Sequence, residues 1–255
     1  MRTAMQELGE ELAAAWIDGR TLPAVPDRLV PPNAEEAYRA QAAMVQRLVP
    51  HFGAVVGWKV GAPGPTAEPN AAPLLADLVQ RAPARFGAVR FRLRGLEAEL
   101  AFRFGRSLPP RATPYGETEV AAAIRSLHAA IEVVECRTQN REATPALVRL
   151  ADNQNNGAFC FGPIISSDWR LVDYLRQPVQ LLVDGARAAE ARGGNAAGHP
   201  MRLLVWLANH AASQGRGIAA GDIVTTGSHI RPVFAERASR IVAEFPGLGS
   251  ASLDF

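Results

Sequence analysis

The chain has 255 residues, with 27 Lys plus Arg against 25 Asp plus Glu and a formal net charge of +2. Apolar residues make up 48% and charged residues 20%, which excludes a disordered chain and is enough to build a large core. The near balance of charge argues against a dedicated nucleic-acid binder, which carries a basic stripe, and no segment reaches the roughly 18 apolar residues of a membrane span.

In chain order, the first fifty residues read as helix. Leu8, Leu12, Ala15 and Trp16 follow a 3–4 spacing, the signature of one buried helical face. Prolines 23, 26, 31 and 32 break it. Asn33 and Glu36 have capping-box spacing, and the second helix is expected to run to about Leu48 and stop at Pro50. Val55 to Gly61 reads as a short buried strand. Ala62 to Pro73, with four prolines, reads as a lid or a long connection. Val89 to Phe104 reads as two strand segments separated by Gly95, with Leu96, Ala98, Leu100, Phe102 and Phe104 on one face of the second.

Glu117 to His128 has helical spacing and Ile131 to Cys136 reads as a buried strand. Thr144-Pro145 is a helix start, with the stop near Asp152. Phe159 to Ile165, Val179 to Val183, Asp222 to Thr226, Ile241 to Phe245 and Ala251 to Phe255 read as strands. His199-Pro200 opens a helix that ends at Gly215, and Gly193-Gly194-Asn195 reads as a hairpin turn. Helices first, then many strands with interspersed helices, predicts an α+β fold. Cys136 and Cys160 read as packed thiols in a reducing compartment, so a cytoplasmic location is expected. The early glutamates Glu7, Glu10 and Glu11 are unlike a signal peptide.

Phosphate-loop, dinucleotide, nucleophile-elbow and zinc-protease motifs are absent. Four features carry chemistry instead. Glu97 and Glu99 are two apart on a strand and share a face, either as a solvated edge or as half of a hard-cation site. Glu132 lies inside the apolar run Ala129 to Val134, where a carboxylate needs a metal or a partner such as Arg137. Lys59 stands between Gly57 and Gly61 in another apolar run. Desolvation would lower its pKa toward the range useful for proton transfer, unless its ammonium reaches water. Asp152-Asn153-Gln154-Asn155-Asn156-Gly157 is a polar run at a helix end, read alone as a left-handed stop.

The order of these blocks is more specific than any one of them. Gly57-Trp58-Lys59-Val60-Gly61 is followed by Glu97-Ala98-Glu99-Leu100-Ala101-Phe102, then Ile131 to Arg137, then Asp152-Asn153. Gly198-His199-Pro200 with Trp206 to Asn209 comes next, and Ala220 to Val224 with Thr226-Gly227-Ser228 closes the series. This series resembles the 2-oxopent-4-enoate hydratases (2-hydroxypentadienoate hydratases) of the fumarylacetoacetate hydrolase superfamily. The resemblance runs from about Asn33 to the C-terminus.

It implies a mixed β-sandwich or roll with peripheral helices, in which residues 1–52 form a helical N-terminal portion and 53–255 a β-rich catalytic domain. It implies Mg2+ or Mn2+ held by Glu97, Glu99 and Glu132, and proton transfer by Lys59 together with Asp77, which follows the Pro-rich loop. Val60, Gly61, Asn155, Thr226, Gly227 and Ser228 are the implied substrate-binding positions. The implied reaction is addition of water to a 2-hydroxy-2,4-dienoate, giving a 4-hydroxy-2-oxo acid in the catabolism of aromatic compounds. The expected partner is a small oxo acid, with neither nucleic acid nor membrane, in a homo-oligomer that can associate with a related decarboxylase.

Two departures, Gln154-Asn155-Asn156 and Glu135-Cys136-Arg137, leave chain length and terminal group of the substrate open. Three rival readings stand beside this one: decarboxylation of a 2-oxo-hexenedioate, C–C hydrolysis of an acylpyruvate, and a non-catalytic partner subunit. Hydrolysis ranks lower because His51 is the only histidine ahead of Lys59.

Overall fold

The computed structural model describes residues 2–87, 90–235 and 239–255. The chain opens with an antiparallel pair of helices, α1 (Ala4–Asp18) and α2 (Ala34–Phe52). Thr3 and Gln6 close a capping box on α1, and the Asn33 side chain accepts from the Glu36 amide on α2. Each satisfies an amide that the helix itself leaves open. The Glu36 carboxylate does not reach back to Asn33 and pairs with Arg39 instead. Pro50 does not stop α2, which runs on to Phe52 and ends at Gly53. A proline in the last turn forfeits one amide bond, and the packing of Leu48 and Phe52 in the core outweighs that loss.

Two sheets follow. The first is built from β1 (Val55–Gly61), β2 (Asn70–Leu75), β3 (Val79–Arg81), β5 (Gly95–Phe104), β6 (Ile124–Val134), β7 (Asn156–Phe161), β10 (Ile223–Ser228) and β11 (Val233–Phe234). Its order is β2-β1-β10-β5-β6-β7-β3, with β11 pairing β5. The second runs in the order β4 (Ala84–Arg85), β13 (Gly249–Asp254), β12 (Arg240–Phe245), β8 (Pro178–Val183), β9 (Ala186–Arg192). Three helices complete the fold: α3 (Glu117–Ala123), α4 (Ala146–Ala151) and α5 (Pro200–Ser213). Among the described residues no helix is long and apolar enough to cross a membrane.

The two sheets stack. Leu96, Ala98, Leu100, Phe102 and Phe104 of β5 share one core cluster with Leu181, Ile241 and Leu253 of the second sheet, as their alternation requires. The α5 helix packs on β1 and β10. The helical pair joins the same cluster through Leu8, Leu12, Met44 and Leu48. The opposite face of the first sheet curls inward until β2 packs against β7. Leu74, Ala101, Ala130, Phe159, Phe161 and Ile223 fill that interior as a separate apolar cluster.

Several local expectations are corrected by pairing. Pro73 is not loop: it lies in β2, opposite Trp58. Proline is tolerated there because β2 is an edge strand. The helical spacing of Glu117 to His128 holds only to Ala123, because Ile124 to His128 form the first half of β6 against β5. Long-range pairing overrides a weak local pattern. Thr144 is not the cap of α4, whose N-cap is Pro145. Its hydroxyl bonds Thr138 and the Asn140 carbonyl instead.

The strand expected over Phe159 to Ile165 is shifted to Asn156–Phe161, and β9 was not foreseen. Residues 90–94 are not strand, and Val89, expected in that segment, lies outside the described residues. Gly193-Gly194 is not a hairpin turn, since it follows β9. A Cβ on Gly194, at φ +84°, would sit 2.1 Å from the His229 carbonyl oxygen, so only glycine permits that approach. Both cysteines are buried and free.

Candidate metal centre

The inward curl of the first sheet gathers the acids. Glu97 and Glu132 are register partners across β5 and β6, and Glu99 lies two residues further on the same face of β5. One carboxylate oxygen from each of Glu97, Glu99 and Glu132 lies within 4.8 Å of the others. Lys59 reaches the group from β1, two strands away from β5. Its Nζ donates to Glu132 Oε1 at 2.5 Å and to the Gln154 carbonyl at 3.1 Å. Asn156 Nδ2 donates to the same Glu132 oxygen at 3.0 Å, and the Thr225 hydroxyl donates to Glu99.

Glu132 is not paired with Arg137, the alternative its sequence context left open. Arg137 is itself buried and bonds Asp152 and the Asn156 carbonyl.

The charge of this group is unbalanced. Full ionisation of the three carboxylates against one ammonium would put a net −2 in a buried site, which is costly without a further cation. Glu132 Oε2 is buried and has no hydrogen-bond partner among the described residues. An all-oxygen donor set with an unsatisfied carboxylate oxygen fits a hard divalent ion.

The crowding of these acids shows in their ionisation. Burial, reinforced by the Glu132 charge and relieved partly by Lys59 and Arg141, pushes the Glu97 carboxyl up to about 7. Burial, with Glu132 and Glu97 beside it, pushes Glu99 well above the usual carboxylate range. For Lys59 the sequence expectation is reversed. Burial lowers its pKa, but the charges of Glu132, Glu97 and Glu99 and the bond to Glu132 outweigh burial, and the net displacement is upward.

The polar run after α4 has a role beyond stopping a helix. Asn153, Gln154 and Asn155 are consecutive left-handed residues, with φ of 49°, 51° and 57°. Non-glycine residues in this region cost on the order of 1–3 kcal/mol each. The turn is held by Asn153 Nδ2 on the Pro73 carbonyl at 3.0 Å and by the Gln154 amide on Asn70. It turns the Gln154 carbonyl toward Lys59. The Oδ1 atoms of Asn153 and Asn155 are buried without partners among the described residues.

The remaining expected positions divide. Gly61 has no heavy atom near its missing Cβ and so leaves open space, whereas Gly57 meets the Ile223 carbonyl oxygen at 2.1 Å and serves strand packing, not ligand approach. The Val60 side chain is buried in the main core, on the face away from Lys59. Thr226 likewise points to the other face, its hydroxyl donating to the Leu100 carbonyl. Thr225 is the residue that faces the acids.

A register shift between Thr225 and Ser228 brings Ser228 opposite Glu99, where its hydroxyl donates to the Ile230 carbonyl at 2.8 Å. Gly227 lies beside Asn195, whose Nδ2 donates to the Thr226 and Gly227 carbonyls. Asp77 is exposed in a short 3-10 turn after β2. Ala76 bonds Ala54, at the start of β1, while Lys59 is near its end. The structure therefore does not bring Asp77 to Lys59, because β2 runs antiparallel to β1 and carries the following turn away.

Thr225, Asn70 and Arg141 were not singled out from sequence, and Asn156 stood there only as part of the polar run. Only the neighbours that folding supplies mark them. Arg141 lies in the connection between β6 and α4, with its Nε buried and, among the described residues, unpartnered. The Pro-rich loop is strapped to α5: Arg202 donates to the Gly64 and Ala67 carbonyls, and Trp206 Nε1 donates to Glu68 at 2.6 Å.

Comparison with known proteins bears on the family and the fold. Residues 80–254 match the family described as fumarylacetoacetate (FAA) hydrolase C-terminal. The chain is 27% identical over 253 residues to 2-keto-4-pentenoate hydratase 1 of Dechloromonas aromatica (strain RCB), covering 96% of this chain and 94% of that one. It is 26% identical over 265 residues to 2-hydroxyhexa-2,4-dienoate hydratase of Comamonas testosteroni, covering 97% and 96%. The fold matches 4-oxalocrotonate decarboxylase from Pseudomonas putida G7, complexed with magnesium and adipate. That match has a TM-score of 0.83 at 22% identity and covers 98% of this chain and 96% of that one.

Proposed function

The chain belongs to the fumarylacetoacetate hydrolase family, and from that premise we propose that it is a divalent-metal-dependent hydratase of 2-hydroxy-2,4-dienoates. The observation that carries this reading is the convergence of Glu97, Glu99 and Glu132, with Lys59 on Glu132 and one Glu132 oxygen left unpartnered. Mg2+ or Mn2+ bound there supplies a Lewis acid and a template for a carboxylate and an adjacent C2 oxygen.

The protein's own groups then have distinct tasks. Lys59, held by Glu132 and the Gln154 carbonyl, carries protons between the C2 enol oxygen and the diene carbons. A proton added at C5 leaves C4 electrophilic; water adds at C4 and its second proton goes to C3. The product is a 4-hydroxy-2-oxo acid, and the sum is one water added. Gly61, Asn155, Gly227 and Ser228 are proposed to contact substrate, Gly61 and Gly227 through their backbones, a reading supported by Ser228 standing opposite Glu99 and by the open space at Gly61. The strapped loop before Asn70 is proposed to exclude bulk water.

The test is loss of the dienol absorbance of 2-hydroxypenta-2,4-dienoate by metal-stripped protein, with Mg2+ or Mn2+ added back. Full turnover in excess chelator refutes the reading. One observation favours a second reading. Arg141, whose buried Nε has no partner among the described residues and whose charge acts on Glu97, suits a substrate with a second carboxylate, as in decarboxylation of a 2-oxo-hexenedioate. CO2 release from that substrate, measured against water addition, separates the two. Homo-oligomerisation is part of the proposal and is supported by the exposed apolar side chains Ile164, Leu171 and Leu175. Sedimentation velocity tests it.

A further inference from the structure

The inward face that carries the acids continues past them. Along β5 it reads Glu97, Glu99, Ala101, Arg103, and along β6 it reads Glu132, Ala130, His128, Ser126. Ala101 and Ala130 belong to the apolar cluster that fills the middle of the curled sheet. Beyond that plug the face turns basic. Arg81 follows Val79 on β3, lies opposite Phe161 in the register and sits over its ring, 6.0 Å from the centroid. The two ends of the curled sheet are therefore chemical opposites, separated by about 13 Å of strand between Glu99 and Arg103.

The basic end holds a cavity of about 400 Å³, lined by Arg81, Arg103, Arg125, Ser126 and His128 among others. A second cavity of about 270 Å³ shares Arg81 and Arg103. Among the described residues, none of these three guanidiniums makes an ion pair or a hydrogen bond. That sets them apart from Arg28, Arg111 and Arg137, each of which grips a carboxylate. Buried His128 bonds the Gly162 carbonyl through Nδ1 at 2.9 Å and Ser126 Oγ through Nε2 at 2.9 Å. Burial and the nearby charges of Arg103 and Arg81 hold its pKa below the ordinary value, despite the carbonyls that raise it. The floor of the cavity is thus neutral and polar, its walls carry three positive charges, and among the described residues that line it there is no acid.

We propose that this cavity binds a phosphate-class oxyanion, at a site separate from the metal centre. Planar guanidiniums grip tetrahedral oxyanions in pairs of parallel hydrogen bonds. The volume lies in the range of small-molecule sites, roughly 300–1,000 Å³, so a phosphate monoester of a small metabolite fits. The site does not depend on the hydratase reading.

The test is calorimetric titration of the full-length, chelator-treated protein with pyrophosphate, with succinate as the dicarboxylate arm. The variants are Arg103→Gln and Arg81→Gln, with circular dichroism to confirm folding. Glu99→Gln is the control for binding at the metal centre. Saturable binding at about one ion per chain is expected. It should weaken about tenfold or more in each arginine variant, for the loss of one charge-assisted contact, and stay unchanged in Glu99→Gln. Pyrophosphate should bind more tightly than succinate. The proposal is overturned by absence of saturable binding, by binding that survives both arginine substitutions, or by preference for succinate.

Discussion

The acid cluster makes a signed prediction about stability and pH in the metal-free protein. The Glu97 carboxyl is held at about 7 against an ordinary 4.5. A raised folded-state pKa means that the protonated form is favoured by folding. Its contribution is complete below 4.5 and is lost as pH rises through 7. Between pH 6 and pH 8 the loss is about 1.3 kcal/mol, or roughly 3–5 °C in Tm for a chain near this size. Glu99 shifts in the same direction.

Buried His128 and His229 and half-buried His210 pull the other way, because desolvation holds their pKa values below 6.5. Their contribution is present above 6.5 and is lost as pH falls. The measurement is therefore a difference: Tm of chelator-treated wild type minus that of Glu97→Gln, by calorimetry at pH 6 and pH 8. The histidine contributions cancel, and the difference should fall by about 3–5 °C over that range. Saturating Mg2+ should raise the wild-type Tm more at pH 8 than at pH 6, since the ion competes with protons for the carboxylates. A difference that does not change with pH, or an Mg2+ effect of equal size at both, refutes the account of the site.

Four further outcomes are expected. Asp152→Ala leaves the buried Arg137 guanidinium without its carboxylate and should cost about 3–5 kcal/mol in urea unfolding. Gly57→Ala places a Cβ 2.1 Å from the Ile223 carbonyl oxygen. It should force β1 from β10, lowering both Tm and Mg2+ affinity. Cys160, buried with its thiol pushed up to about 12 by burial, and Cys136, raised by burial and Asp152, should resist a thiol reagent at pH 8 until denaturant is added. If the distal end of the substrate carries a carboxylate, Arg141→Gln should raise KM for dicarboxylate substrates about tenfold and leave KM for monocarboxylates unchanged.

What could be read in the sequence was whatever depends on local period. The alternation of β5 placed Leu96 to Phe104 on one face and Glu97 with Glu99 on the other, because a strand has period two whatever it pairs with. Glu132 and Lys59 stood out as charges in apolar runs, a composition signal that needs no partner to be seen. The cap at Asn33 acts on the amide three residues on and is equally local.

What the sequence could not supply was which strands meet. The upward displacement of the Lys59 pKa follows from three acids that reach it only because the first sheet curls. From sequence, burial was the sole visible influence, and it has the opposite sign. Thr225 replaces Thr226 at the site because the pairing of β10 with β1 and β5 sets the phase, and the shift after Thr225 lies in the ladder and not in the residue types. Asp77 is carried away by the antiparallel course of β2. The Arg81–Arg103 end of the curled sheet joins β3 to β5, strands that are not neighbours in the ladder. Residue type and period are properties of a segment. The convergence of charges is a property of the closed sheet, and only the tertiary structure decides it.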